Sequence, residues 1–378
     1  MNLCDELRYI SRVDTQARSL SICSQVMHFI GYGSIHTKLL EAKLQEWSQS
    51  MYKTSEEYRK HNGILTRETK EGFLTSTKAY PVYLDLLEKL GLIVFVKEII
   101  RLSKFGRVFV HLTEESQAFL LSDTEKILFL FFLFQRDADA LISVMEIVNQ
   151  GSSNINRIYS TFEEHFKIRL EQKMYFSNTR AKMAISERLR KININYIDSN
   201  NIKAQKTMSE KFFVPPRLEW LTDLSLTQEI DEKFSLTYKG QELLNSLFTF
   251  SRENSSFRLI DVNNNWIIEK GFSTFASVSI NEQLKIPTDL EFQFALKKLL
   301  LEAKRFFDVE GAMRISLLPL LIFLSVKFPV KFEILIDYKK LINLLEEGVE
   351  VDNKQFVIRS AARINEAYIN IKYKNKKQ

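Results

Sequence analysis

An α-rich α+β fold is what this 378-residue sequence predicts, and three observations carry that reading. Glycine and proline are scarce, at 11 and 6 residues, which favours long helices over a many-turned sandwich or barrel. Apolar residues recur at spacings of three and four, as in Ile155, Ile158, Phe162, Phe166 and Leu170, the pattern of an amphipathic helix. Short alternating runs flank turn residues, as Val349, Val351, Phe356 and Ile358 flank Asp352-Asn353-Lys354, which marks a hairpin. Hydrophobic residues at 45% and charged ones at 26% exclude a disordered or fibrous chain. The length implies two or three domains, which we place at 1–122, 123–255 and 256–378.

Taken in order, Leu7 to Ile30 and Thr37 to Trp47 read as helices around Gly31-Tyr32-Gly33. Tyr80 to Leu90 is a helix with Pro81 in its first turn, Leu84, Leu87 and Leu90 on one face, and Gly91 as its C-terminal cap. A β-rich stretch, Ile93 to Ile100, leads to Leu102-Ser103-Lys104-Phe105-Gly106. Asp123 to Val148 reads as a helical hairpin, broken at Gln135-Arg136-Asp137, with Asp137 and Asp139 as turn residues. The Ile155 stripe places Arg157, Lys167 and Lys173 outward, and a second helix runs from Ser177-Asn178 to Lys191. The asparagines between 193 and 201 mark a loop. Pro215 to Leu226 is another proline-started helix, followed by a charged hairpin, Thr227 to Lys233, and by Leu236-Thr237-Tyr238-Lys239-Gly240. Further on come a candidate hairpin at Asn263-Asn264-Asn265, a long helix from Leu290 to Phe307, and an apolar helix, Ser316 to Val326, broken at Pro319. Asp337 to Gly348 is a capped helix ahead of a hairpin, Val349 to Ser360.

Self-similarity organises these elements. Pro81 and Gly106 are 25 residues apart, and Pro216 and Gly240 are 24 apart. Both stretches run helix, turn, hairpin, then a leucine and a hydroxyl residue that can cap the next helix, Ser103 and Thr237. The pattern resembles the winged-helix fold, and Leu-Thr-Tyr-Lys-Gly resembles the wing-to-helix junction of MarR-type regulators. The resemblance covers roughly 50 residues in the first copy and 40 in the second, with a third candidate near the C-terminus. It implies two winged-helix modules, plus that third, joined by helices.

In that fold a helix enters the major groove of DNA while the wing touches the backbone. The resemblance therefore points to Thr77, Lys78 and Tyr80, to Lys104 and Arg107 with Lys97 and Arg101 near the wing, and to Lys206, Lys211 and Arg217 in the second copy. The second wing, Glu229-Ile230-Asp231-Glu232-Lys233, is acidic and departs from a phosphate-binding pattern.

Charge adds a second line. The net +6 comes from 53 basic and 47 acidic residues, and residues 154–213 alone hold 12 against 6. Lys167, Arg169, Lys173, Arg180, Lys182, Arg188, Arg190 and Lys191 form the candidate stripe, which would attract a polyanion. A solvated helix face is the plain alternative.

Other chemistry is sparse. Cys4, Cys23, His28 and His36 lack the short spacing of a zinc site, and no Walker loop, nucleophile elbow or His-Glu-x-x-His motif occurs. Glu171-Gln172-Lys173 spells the tripeptide of restriction-type nucleases but falls in a basic helix. The apolar runs Ile127 to Phe134 and Ile315 to Val326 are short of the ~20 residues that span a bilayer. Met1 to Glu6 contains no basic region ahead of an apolar run. The expectation is a cytoplasmic, non-enzymatic protein without cofactor or metal that binds double-stranded DNA. Its setting would be a larger prokaryotic assembly in antiviral defence, plasmid maintenance or transcription control, with partner subunits or further copies of itself. A kleisin-like adaptor that grips an ATPase or effector is the alternative, and a divergent nuclease the third.

Overall fold

In the computed structural model, residues 4–11, 17–54, 79–113, 120–151, 153–198, 214–251, 258–307, 314–359 and 367–373 are described. A related order of elements, helix, short strand, two or three helices and a hairpin, recurs three times among the described residues. The first unit is α1 (Leu20–Ile30), β1 (Ser34–His36), α2 (Thr37–Thr54), α3 (Ala79–Lys89), and the hairpin β2 (Ile93–Val96) and β3 (Ile99–Leu102), followed by α4 (Lys104–Leu112). The second is α5 (Asp123–Asn149), β4 (Ser153–Asn154), α6 (Ile155–Phe176), α7 (Thr179–Asp198), α8 (Val214–Asp223), and the hairpin β5 (Thr227–Ile230) and β6 (Lys233–Leu236), followed by α9 (Tyr238–Ser246).

A small hairpin, β7 (Phe248–Ser251) and β8 (Arg258–Asp261), leads to α10 (Phe272–Ser279), which is preceded by a π-helical turn, Ile267–Gly271. The third unit is α11 (Asp289–Phe307), β9 (Arg314–Ser316), α12 (Leu317–Phe332), α13 (Tyr338–Glu347), β10 (Val349–Val351), β11 (Lys354–Arg359) and β12 (Tyr368–Tyr373). In the first two units the short strand pairs with the second strand of the hairpin, in the orders β1-β3-β2 and β4-β6-β5. In the third, β12 is inserted between them, in the order β10-β11-β12-β9. All of these pairings are antiparallel. The chain is therefore helix-rich α+β with small antiparallel sheets.

The repeated junctions have a common physical cause. Ser103 caps α4 through its hydroxyl, which accepts from Gly106 N–H and donates to the Gly91 carbonyl. Thr237 caps α9 in the same way, accepting from Gly240 N–H and donating to the Ser225 carbonyl. The Ser103 and Thr237 backbone N–H groups donate to the carbonyls of Leu92 and Leu226. Gly91, at φ +77°, makes the tight reversal out of α3 that this needs.

The core runs continuously through all three units around α5. This helix is buried on every side because its phenylalanines face different neighbours. Phe129 packs on Phe109 of α4, and Phe131 stacks on Phe272 of α10 with ring centroids 4.5 Å apart. Phe132 meets Phe105, and Phe134 meets Phe275. A helix apolar all round belongs in the interior. Its N-terminus carries a capping box in which Ser122 and Glu125 satisfy each other's orphan groups, and the hydroxyl of Ser24 on α1 donates to the same Glu125.

Several expectations need correcting. Asp123 to Asn149 is one unbroken helix, not a hairpin; it contains no glycine or proline to break it, and the two aspartates serve as ion-pair partners. Among the described residues of the first predicted helix only Leu20–Ile30 is helical, and residues 4–10 run extended, captured by side chains of the interior. Pro319 lies in the first turn of α12, where its missing N–H costs nothing, and the helix continues to Phe332. Asn263 caps a helical turn in place of forming a hairpin, and α7 continues through the asparagines to Asp198.

Candidate nucleic-acid interface

The predicted site residues fall into three groups. Thr77, Lys78, Lys206 and Lys211 lie outside the described residues. Arg169, Lys173 and Arg217, expected on the surface, are buried and cannot line an interface. The remaining residues reach solvent at least in part: Tyr80 is half-buried at the start of α3, and Lys104 and Arg107 are exposed on α4.

On α6 the stripe dissolves. Arg169 and Lys173 turn inward, and half-exposed Lys167 shares its face with Glu163, Glu164 and Glu171. On α7 it survives. Arg180, Lys182, Arg190 and Lys191 are all exposed, and at ~100° per residue they share about half of the helix circumference. The buried half is Ala181, Ile185 and Ile192. Among the described residues only Lys191 of the four has an ion-pair partner, Glu187 one turn earlier at 2.7 Å. Arg188 belongs to the boundary. Its guanidinium lies over the Tyr9 ring, 4.6 Å from the centroid, and donates to the Tyr9 hydroxyl at 3.2 Å.

The buried cations serve a different purpose. Arg217 donates from Nε and Nη2 to both oxygens of Asp137, each at 2.7 Å, and from Nη2 to the Ile10 carbonyl at 3.0 Å. Lys173 Nζ lies 2.8 Å from Asp139 and 3.0 Å from Asp261, while Arg169 joins Glu146 and Asp261. The same two aspartates of α5 accept from the backbone of the N-terminal segment, Asp139 from Arg8 N–H at 2.7 Å and Asp137 from Ile10 N–H at 2.8 Å. The Arg8 carbonyl in turn accepts from Asp139 N–H at 3.0 Å. Burial raises the Asp137 carboxyl against the pull of Arg217. Burial works the same way on Asp261, but Lys173 and Arg169 outweigh it and hold that carboxyl below its ordinary range. The network is a structural clasp that fastens the chain's start to its central helix.

A second buried acidic pair lies on α8. Burial pushes the Glu219 and Asp223 carboxyls up to about 7, although Asp223 accepts from Leu20 N–H at 2.7 Å and so caps α1 of the first unit. With folded values raised, the stability these groups lend is complete below pH ~4 and is lost as pH rises through about 7. His28 and His165, both lowered by burial, act in the opposite sense, since their contribution is present above pH ~6.5 and lost below it. The test is therefore a difference. Asp223→Asn should gain on the native protein by about 1 kcal/mol or more between pH 5 and pH 8 in urea unfolding. A difference that stays constant with pH would reject the raised Asp223 carboxyl.

The α8 helix, counterpart of the predicted groove-entering helix, has Val214 to Leu218, Trp220 and Leu221 buried, and Trp220 Nε1 donates to the Ala17 carbonyl. Its hairpin turns at Asp231 and Glu232, both at positive φ, and exposes the acidic residues foreseen there. Glu171 is exposed and Lys173 buried, so the nuclease tripeptide does not converge on one face. Among the described residues no cluster of His, Cys, Asp and Glu could hold a metal, and no helix is long and apolar enough to cross a membrane. Sequence reasoning missed Arg8, Asp137, Asp139 and Asp261, although one signal was present: Phe162, Phe166, Arg169 and Lys173 continue a single inward stripe at spacings of four, three and four. Comparison with protein families, curated proteins and solved structures yields no match.

Proposed function

We propose that this chain is a non-enzymatic double-stranded DNA-binding protein, built from three winged-helix units and acting as the DNA-recruiting subunit of a larger prokaryotic assembly. The recurring sequence of helix, short strand, helices and hairpin supports the fold reading, since in the first two units the hairpin closes on the short strand as a wing does. The observation that carries the function is the outward half of α7 over residues 179–192, where four cations face one carboxylate. Three of these have no ion pair among the described residues, so their charge stays unneutralised by a carboxylate there. Such a face offers phosphates salt-dependent, sequence-independent affinity. Lys104 and Arg107 on α4 supply a second contact region. Arg217 and the helix that carries it have no part in it.

A protein-binding adaptor is the second reading, favoured by the first hairpin, where Val94, Val96 and Ile99 are 38%, 47% and 43% exposed. Anisotropy with a labelled 25-bp duplex separates the two. Native protein should lose affinity steeply from 50 to 300 mM salt, and Arg180→Ala, Lys182→Ala and Arg190→Ala combined should flatten the log–log slope by about 2 to 3. Arg188 is left intact because its loss would disturb Tyr9. An unchanged slope removes α7 from the mechanism, and no duplex binding at 50 mM salt leaves the adaptor reading standing.

A further inference from the structure

We infer that the open face of the C-terminal sheet binds single-stranded DNA, with Tyr368 and Arg314 as a stacking platform and Arg359 and Lys372 as phosphate contacts. Strand register sorts the two faces. Ile315, Phe356, Ile369 and Ile371 point into the core. The opposite positions form three rows across the sheet: Glu350, Gln355 and Lys372; Val357, Asn370 and Arg314; Arg359, Tyr368 and Ser316. Arg314, Arg359 and Lys372 are exposed and have no ion pair among the described residues. Glu350 is the single carboxylate of these rows, and it stands at one corner.

Two features point to a nucleic acid strand. The first is charge complementarity: the face presents Arg314, Arg359 and Lys372 against Glu350 alone. The second is geometry. The Arg314 guanidinium lies 4.8 Å from the Tyr368 ring centroid, and Arg359 is directly opposite Tyr368 on the neighbouring strand. A guanidinium laid on an aromatic ring is a flat π-surface that accepts any base, and flanking cations take up the phosphates. Asn370 and Gln355 add amide donors and acceptors beside it.

Duplex DNA does not suit this face. Four strands at ~4.8 Å spacing place the outer backbones about 14 Å apart before side chains are added, which is wider than the ~12 Å major groove. A stacking platform also needs a base that is already unstacked. In choosing DNA over RNA the inference rests on the reading of α7 given above; the platform itself does not.

The experiment measures anisotropy of labelled (dT)15, (rU)15 and a 25-bp duplex on the full chain. Tyr368→Ala should weaken (dT)15 about 5- to 100-fold, Tyr368→Phe should stay within about threefold, and neither should change duplex affinity. Arg359→Ala with Lys372→Ala, both at exposed positions, should flatten the (dT)15 salt slope by about 1.4 and serves as the deciding variant if Tyr368→Ala unfolds. Native (dT)15 binding that is absent, that survives Tyr368→Ala and the cation pair unchanged, or that falls in parallel with duplex binding would overturn the inference. Tighter (rU)15 than (dT)15 binding would overturn its choice of DNA. Because the α7 variants are read on duplex and these on (dT)15, failure of one reading leaves the other measurable.

Discussion

Replacing Asp137 by alanine is expected to destabilise the protein by about 3–5 kcal/mol, the largest effect of any single charge removal in the clasp. The substitution takes away both carboxylate oxygens that accept from the Arg217 guanidinium and the acceptor of Ile10 N–H, all inside the core. Arg217 is fully buried, so the substitution removes from the interior the carboxylate that its guanidinium grips through Nε and Nη2. The pair need not be strongly stabilising against an apolar alternative, because two buried ions each pay for lost hydration. The asymmetry between breaking the pair and replacing it is the measurable point. Guanidinium unfolding should show Asp137→Ala near the full loss, while Asp137→Ala combined with Arg217→Met recovers 1 kcal/mol or more, a positive coupling of the kind found for residues in contact. Equal losses in the single and double variants would mean that Arg217 finds water or another partner, and the clasp would lose its electrostatic basis.

What the sequence discloses and what it hides divide along one line. Signals written in neighbouring residues were legible: the caps at Ser103, Thr237 and Asp337, the turn at Asp352-Asn353, and the helix that ends at Gly348 all appear where local chemistry places them. Signals that depend on a distant partner were not. Asp137 and Asp139 read locally as a break in an apolar run, yet they occupy mid-helix because Arg217, Lys173 and the backbone of residues 8 and 10 arrive from far along the chain. Lys173 counted as a surface cation by residue type, although its place in the Phe162–Phe166–Arg169 stripe marked it as inward. Pro319 reads as a breaker only when its distance from the helix start is ignored.

The same distinction reshapes the candidate interface. Counting charge by segment credited α6 and α7 equally. Burial leaves α7 as the cationic surface and assigns the α6 cations to the clasp. The cationic face of the C-terminal sheet stands out only when the strand register puts Arg314, Arg359 and Lys372 together.

The second large effect concerns the two leucine-hydroxyl-glycine junctions. A Cβ at Gly106 would sit 2.1 Å from the Leu92 carbonyl oxygen, and one at Gly240 would sit 2.1 Å from the Leu226 oxygen. Each oxygen already accepts a backbone N–H, from Ser103 at 2.9 Å and Thr237 at 3.0 Å. Backbone, unlike a side-chain tip, cannot rotate away, so the helix must lift off the hairpin or the hydrogen bond must break. Gly106→Ala and Gly240→Ala should each cost about 2–3 kcal/mol. Ser103→Ala and Thr237→Ala, which delete only the cap, should cost about 1 kcal/mol. Gly33→Ala, with nothing within 4 Å of the added methyl, is the control and should stay within about 0.5 kcal/mol. If Gly106→Ala and Gly240→Ala cost no more than Gly33→Ala, the close approach of helix and hairpin is not what demands glycine there. If they cost as expected, the interval between the two motifs follows from geometry: a hairpin of fixed length must return its helix to the same carbonyl in both units.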